Sequence, residues 1–261
     1  MARNYAEKDI KLLFALSGGY CAFPNCGAQL VAPATDSDPA VVLGQICHMV
    51  ASSDDGPRGD AEFPLELRDT YENLLLLCVH HHTLVDKQLN TYSVDDLKQW
   101  KAALESYVST KLAEGMRSID FAELEIVCRH LVHNNAGIDS TPLTAVDVQD
   151  KMDANDLTEL VAYRMNLGLM QAPQVAAFLA QYSSMFDAAF PQRLREGFTQ
   201  LYNKHKSAGL EGDALFIALA EEAAAVAPVK AAPAQRWEFE AASLAVLCHL
   251  FELCDLFEAP Q

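Results

Sequence analysis

The chain has 261 residues, 51% of them hydrophobic, and a mean hydropathy of +0.02, so it can bury a core as one large domain or two small ones. Its 19 Lys and Arg against 36 Asp and Glu give a net charge of −17, the wrong sign for nonspecific neutralisation of DNA phosphates. Runs of about 18 apolar residues are absent and residues 1–10 alternate polar and charged side chains, so we expect a cytoplasmic protein, neither membrane-spanning nor secreted.

Cysteine and histidine residues concentrate in the N-terminal part of the chain. Seven Cys is an odd number, and in an unsecreted chain it favours metal ligands or buried thiols over disulfides. Cys21 and Cys26 share one tight turn, and Cys78 and His81 form a second short-spaced pair. Two such pairs suit one tetrahedral structural zinc site, because each pair closes a small loop and a single long loop remains. The alternative is a set of buried thiols beside an exposed helix start.

The first half mixes short strands with helices. Two apolar runs of strand length interrupt a loop segment rich in Asp, Gly, Pro and Ser, at residues 40–43 and 46–51. After a run of four leucines, a helix is expected to start near Val79. Ser93 and Asp96 form a capping box that predicts a helix over residues 94–115.

After residue 115 the composition changes to Ala, Leu and Glu with helical periodicity, which predicts an all-α second half. The predicted helices cover residues 121–133, 144–152, 157–169, 173–186, 191–207, 213–225 and 236–257. Apolar residues recur at helical spacing along the last helix and describe one apolar stripe: Leu244, Leu247, Cys248 and Phe251. The chain is therefore expected to be α+β, with domains at 1–115 and 116–261.

A second set of chemically active residues is interleaved with the ligand pairs. Cys47 and His48 end an apolar run, Asn73 precedes the four leucines, and His82 directly follows the second ligand pair. This ordered set resembles the HNH endonucleases of bacterial anti-phage effectors over residues 11–105. The resemblance includes residues 16–21, 56–59, 73–78, 81–86 and 97–101. It implies a ββα-metal fold with a zinc knuckle and metal-dependent hydrolysis of DNA.

The resemblance also implies a role for each residue. His48 would be the general base that takes a proton from the attacking water, since imidazole titrates near neutrality. Asn73 would hold the His48 segment in place through its amide. His82 would bind the catalytic cation, Mg²⁺ or Mn²⁺. Asp86, one helical turn after His82, would orient the His82 ring or bind the cation itself.

Cys47 departs from the family pattern, which usually has Asp, Glu or His there as a metal ligand. Thiolate matches Mg²⁺ poorly, so either the cation is softer, such as Mn²⁺, Ni²⁺ or Zn²⁺, or Asp86 or Asp60 supplies the missing oxygen ligand. Arg58, in a Gly-Pro-Arg-Gly loop, is a candidate contact to a substrate phosphate, and a purely structural role is equally compatible with its position.

The second half resembles, over residues 121–258, the C-terminal helical domain of ABC-three-component conflict systems. The resemblance rests on Lys151, Asn155 and a terminal Phe-Glu-Leu-Cys-Asp-Leu-Phe-Glu segment at 251–258. It implies docking onto an ABC-type ATPase, together with a small middle component. A plain helical packing domain, or one that forms a homodimer, is the alternative.

The remaining cysteines and histidines carry no expected ligand role. We expect His80 to be exposed, the histidines of the second half to be ordinary surface or core residues, and three cysteines to be buried thiols: Cys128, Cys248 and Cys254.

Taken together, the residues favour an HNH DNA endonuclease of an anti-phage system. Two alternatives stay open: a zinc-stabilised adaptor whose catalytic centre has decayed at Cys47, and a nuclease that cleaves RNA. Because both halves of the chain are acidic, we expect the ATPase partner to bring DNA to the nuclease. A local basic groove is the alternative source of DNA binding, formed by Arg58, Arg68, Lys87 and Lys98.

Overall fold

A computed structural model describes residues 5–32, 37–119, 121–132, 147–225, 233–253 and 256–259. The chain divides into two compact units, Met1–Thr110 and Lys111–Gln261. The expected α+β class is confirmed, since the described part is mostly helical with two small two-stranded sheets in the first unit. The predicted domain boundary after residue 115 lies inside the helix Val94–Ser118, which runs from the first unit into the second.

The first unit opens with a helix that the sequence analysis did not predict, α1 (Glu7–Leu16), whose buried side chains include Leu13 and Leu16. Two short strands follow and pair antiparallel, β1 (Val31–Ala32) and β2 (Val41–Val42). The second strand falls within the predicted run at 40–43.

A longer antiparallel pair forms the centre of the first unit, β3 (Gly44–His48) and β4 (Leu74–Cys78). The four leucines of β4 are all buried, which is why an unbroken apolar run, without alternation, forms this strand. Strand β3 ends at His48, earlier than the predicted run at 46–51. One further bond continues the register beyond the strand, since the Met49 N–H donates to the carbonyl of Asn73, the residue opposite it.

Two helices follow β4. Helix α2 (Val79–Lys87) begins directly after the strand, as predicted. Helix α3 (Val94–Ser118) begins at the predicted capping box: the Ser93 N–H donates to the Asp96 carboxylate at 2.8 Å, and the Asp96 N–H donates to Ser93 Oγ at 3.2 Å. In the antiparallel pair, the end of β3 at His48 lies opposite the start of β4 at Leu74, and α2 begins after Cys78, at the other end of the pair.

The second unit is built from helices, as expected. They are α4 (Phe121–Val132), α5 (Val148–Ala154), α6 (Glu159–Met170), α7 (Ala172–Met185), α8 (Phe190–Ser207), α9 (Gly212–Ala224) and α10 (Pro233–Leu253). Each matches a predicted helix to within a few residues. The predicted helical residues 133, 144–146 and 254–255 lie outside the described part of the chain.

Helix α10 is the core of the second unit. Helices α4, α6, α7 and α9 pack against it, and every residue from Ala241 to Leu250 is buried. The single apolar stripe expected for this helix was therefore too narrow a prediction, because neighbours surround the helix on several sides. Gly168 of α6 lies so close to α10 that an added Cβ would stand 2.4 Å from Cys248 Sγ. Within the described ranges, none of the helices combines the length and apolar character needed to cross a membrane.

Candidate metal centre and catalytic residues

Four side chains of the first unit meet in a Cys/His cluster, and they are the four predicted zinc ligands: Cys21, Cys26, Cys78 and His81. Cys21 and Cys26 lie on the turn after α1, which is tightened by Asn25 with φ at 60°. Cys78 is the last residue of β4, and His81 lies in the first turn of α2. The Cys/His cluster thus lies at the end of the β3–β4 pair where Cys78 stands opposite Gly44.

The geometry of the Cys/His cluster suits a tetrahedral metal. One potential ligand atom from each residue lies within 4.8 Å of the others. His81 Nδ1 is 3.2 Å from Cys78 Sγ and 3.7 Å from Cys21 Sγ. A zinc ion bound to sulfur and nitrogen sets its ligand atoms about 3.5–3.8 Å apart. Three sulfur atoms and one imidazole nitrogen are also ligands that zinc prefers, so the cluster could hold a metal such as zinc.

Protonation links the Cys/His cluster to its metal. Burial, with a contribution from neighbouring Cys26, raises the pKa of Cys21 to about 12, so a metal that binds there must displace a proton. Burial and the nearby His80 lower the pKa of His81, which keeps its imidazole neutral and able to act as a ligand. His80 itself is exposed, as predicted.

An aromatic wall fixes the His81 ring. Phe23, on the turn between the first two ligands, stacks on His81 with centroids 3.8 Å apart and planes 1° from parallel. Trp100 and Tyr92 pack edge-on against Phe23. A ligand ring whose orientation is set by its neighbours loses less conformational entropy when it binds a metal.

His48 and Asn73 lie together at the end of the β3–β4 pair, where His48 stands opposite Leu74. Asn73 Oδ1 accepts from the Val50 N–H at 2.9 Å, and its Nδ2 donates to the carbonyls of Val50 and Arg68, both at 2.8 Å. Asn73 is buried, and these three bonds fix the segment that follows His48. This geometry matches the holding role that the resemblance implies for Asn73.

Arg58 joins the His48 segment to helix α2. Its guanidinium donates to the His48 carbonyl at 3.0 Å, the Val85 carbonyl at 2.8 Å and Asp86 Oδ1 at 2.8 Å. The Asp86 Oδ2 atom faces His82 Nδ1 at 3.9 Å, which is longer than a hydrogen bond. Arg58 thus connects the His48 backbone to Asp86, which in turn faces His82.

The geometry does not support Arg58 as a phosphate contact. Its side chain is only 5% exposed, and Nε also donates to the Met49 carbonyl at 2.9 Å. Arg58 has φ at 57°, a left-handed conformation that directs the side chain between β3 and α2. We therefore assign Arg58 the structural role that its sequence position left open.

Cys47 and Asp60 lack the features of a cation ligand. Cys47 is completely buried, and burial, with the charge of Asp86, raises the pKa of its thiol to about 12. Its Sγ donates to the His48 carbonyl at 3.5 Å and accepts from Arg58 Nη2 at 3.8 Å, so the sulfur faces internal partners. Asp60 is exposed and its Oδ1 accepts from the Glu62 N–H. Among the described residues, no second group of three His, Cys, Asp or Glu is arranged to hold a metal.

One residue at this site was missed by the sequence analysis. Asp69 Oδ1 lies 2.7 Å from His48 Nε2, so the proposed base has a carboxylate partner. Tyr5 also lies near the His48 ring, with centroids 5.7 Å apart. The sequence offers no spacing signal for Asp69, because it reaches His48 through the path of the loop between β3 and β4.

In the second unit, the residues singled out by the second resemblance meet. Lys151 is 1% exposed and its Nζ donates to the Phe251 carbonyl at 2.8 Å. Asn155 exchanges two hydrogen bonds with the backbone of Glu258, at 2.8 and 2.9 Å. Cys128 and Cys248 are buried thiols, as predicted, and Cys254 lies outside the described residues.

Comparison with known proteins adds no relatives: neither a search of protein-family models nor a search of curated proteins found a match for this chain.

Proposed function

We propose that the chain is a metal-dependent endonuclease of the HNH type that hydrolyses phosphodiester bonds in DNA. The observation that carries the proposal is that His48, Asn73 and His82 lie on one strand–strand–helix module whose helix begins at the Cys/His cluster. Arg58 links two of the three elements directly, since it donates to the His48 carbonyl and to Asp86 of α2.

The chemistry follows from the placement of these residues. His48 takes a proton from a water molecule, whose oxygen attacks the phosphorus atom as the bond to the 3′ oxygen breaks. Asn73 keeps His48 in position through its bonds to Val50 and Arg68. A divalent cation at His82 would polarise the phosphate and stabilise the leaving oxygen.

The side chains near His82 are compatible with such a cation. One imidazole and the Asp86 carboxylate face each other there, and Mg²⁺ or Mn²⁺ commonly binds through few protein ligands, with water and substrate phosphate completing the shell. Cys47 Sγ already contacts the His48 carbonyl and Arg58 Nη2, so the proposal takes Asp86 as the second ligand and does not require the softer cations that the thiol suggested. A structural zinc at the Cys/His cluster would hold the start of α2, and with it His82.

The same observations favour a second candidate function, a zinc-stabilised adaptor without nuclease activity. The buried Cys47 replaces an expected ligand, and Arg58 already pairs with Asp86, the nearest carboxylate to His82. Under this alternative the Cys/His cluster binds metal while the His48 region is inert.

The experiment is cleavage of plasmid DNA by the purified full chain with Mg²⁺, Mn²⁺, Ni²⁺ or Zn²⁺. His48→Ala should reduce the cleavage rate about 10²- to 10⁴-fold, because it removes the base. Gln99→Ala is the control, since Gln99 is an exposed residue of the same unit and the variant should cleave like the unchanged chain. Equal rates for both variants would contradict the role of His48. The assay is run without and with the proposed ATPase partner. Absence of DNA cleavage with every metal in both cases, while RNA is cleaved, would identify an RNA nuclease, and inactivity on both substrates would leave the adaptor.

For the second unit, we propose docking onto an ABC-type ATPase. The support is the convergence of Lys151 and Asn155 on Phe251 and Glu258, which joins the dispersed residues of the second resemblance. The alternative is that these contacts only stabilise the packing of α5 against the C-terminal segment.

A further inference from the structure

The His48 ring meets a carboxylate that no sequence pattern indicated. Asp69 Oδ1 lies 2.7 Å from His48 Nε2, a distance typical of a charge-assisted hydrogen bond. The His48 side chain is 7% exposed and the Asp69 side chain 54%, so the carboxylate reaches the buried ring from the surface. A carboxylate in this position can fix which ring nitrogen of the histidine carries the proton.

Asp69 is held in place from both sides. The preceding Arg68 is buried, and its guanidinium donates to Asp54 Oδ1 at 2.6 Å and to the Asp60 carbonyl at 2.8 Å. The carbonyl of Arg68 accepts from Asn73 Nδ2. On the other side, the Asn73 N–H donates to the Thr70 carbonyl at 3.0 Å. The backbone around Asp69 is thus fixed by bonds that do not depend on the His48 contact.

We propose that Asp69 is a positioning residue that sets the tautomer and orientation of His48, an inference that rests on the proposed nuclease function. Nε2 keeps its proton and donates a hydrogen bond to the carboxylate, so the lone pair is on Nδ1. In the reaction an O–H bond of water breaks and its proton goes to Nδ1. The water oxygen forms the new bond to phosphorus, and the 3′ oxygen leaves with the electron pair of the broken bond. Asp69 keeps its charge and stabilises the imidazolium that forms.

The tautomer can be measured without any activity. In full-length protein labelled with ¹⁵N-histidine, the His48 signal should report one tautomer with the proton on Nε2, and His48→Gln identifies the signal by its loss. Asp69→Ala should release the ring into a mixture of tautomers. Glu66→Gln is the control, because it removes an exposed carboxylate of the same loop. An unchanged His48 tautomer in Asp69→Ala would overturn the proposal.

Kinetics supply the second readout. Asp69→Asn should lower kcat about 10- to 100-fold with little change in KM, and Asp69→Glu should recover part of the loss, because the base is misoriented while substrate binding is retained. A kcat for Asp69→Asn equal to that of Glu66→Gln would also overturn the proposal. If the unchanged chain cleaves nothing, either alone or with the proposed ATPase partner, the proposed function fails, and the His48 tautomer alone then decides whether Asp69 positions the ring.

Discussion

At the scale of single residues, two arginines that the sequence suggested for DNA binding are instead buried and form internal ion pairs. Arg58 and Arg68 were both candidates for a basic groove, yet their side chains are 5% and 4% exposed and pair with Asp86 and Asp54. Only Lys87 and Lys98 of the four candidates are exposed. The two arginines of the predicted basic groove are therefore occupied by internal ion pairs and do not face a DNA ligand.

His249 provides a pH-dependent prediction for the second unit. It is buried in α10, and burial lowers its pKa below the ordinary value of 6.5. As the pH falls below 6.5, the unfolded chain takes up a proton that the folded chain resists, so the free energy of unfolding should decrease on acidification. His249→Gln should reduce this loss of stability between about pH 7.5 and about pH 5.5, measured by denaturant unfolding.

The comparison for that measurement is Gln99→Ala, which changes an exposed, uncharged side chain and should keep the pH dependence of the unchanged chain. The absolute stability of His249→Gln is expected to drop, because the amide is buried, and the informative quantity is the difference between the two pH values. An identical pH dependence in both variants would show that His249 contributes nothing to it.

At the scale of elements, the Cys/His cluster joins the turn after α1, the end of β4 and the start of α2. Cys78→Ser should bring the metal content of protein never exposed to chelator from about one per chain towards zero. It should also lower the melting temperature of the first unit by about 10 °C or more, because structural zinc contributes folding free energy directly. Elemental analysis and calorimetry measure the two effects.

Cys128→Ala is the matched control for this experiment. Cys128 is a buried thiol of α4, remote in sequence from the cluster, so its removal should reduce stability without changing the metal content. A chain without zinc, or a Cys78→Ser variant that keeps it, would refute the zinc assignment.

The elements also show what sequence can predict and where it fails. The capping box at Ser93 and the helix start at Val79 were predictable, because local chemistry decides both. The ligand pairs were predictable because each pair is short-spaced. Helix α1 was missed, since it has no side-chain cap and the polar alternation of residues 1–10 hid its apolar face. Its Asp9 accepts from the Tyr71 N–H at 2.9 Å, a long-range contact without a local signal.

The contact between Asp69 and His48 was beyond prediction for a different reason. It depends on a loop whose course is set by buried bonds of Arg68 and Asn73. Loops of this kind are fixed by tertiary contacts, and periodicity or spacing does not encode them. The same holds for Arg58, whose sequence position allowed a surface role and whose burial appears only in three dimensions.

At the scale of the whole molecule, the acidic charge bears on the proposed binding of DNA. Residues 1–105 hold 8 Lys and Arg against 15 Asp and Glu, a net −7, and the remainder hold 11 against 21, a net −10. With Arg58 and Arg68 internally paired, long-range repulsion should hold DNA away from the isolated chain. The proposed function therefore needs a partner that supplies positive charge.

We predict that the full chain alone cuts DNA weakly at physiological salt and that an ABC-type ATPase encoded beside it raises the rate. A chain truncated after residue 115 should fail to co-purify with the ATPase, because the second unit is the proposed docking element. Full-length His48→Ala serves as the control, since it should lack nuclease activity and still bind. Robust cutting by the chain alone, or ATPase retained by the truncated chain, would contradict the docking proposal.

Helix α2 has only nine residues, too few to be stable alone in water, where about 12 to 15 are marginal. The Cys/His cluster holds its first turn, and Arg58 holds its last turn at Val85 and Asp86. Clamped at both ends, the helix has no free end from which to fray. Its amide hydrogens should then exchange with solvent only when β3, β4 and α2 open together, as one cooperative folding unit that carries both histidines of the proposed reaction.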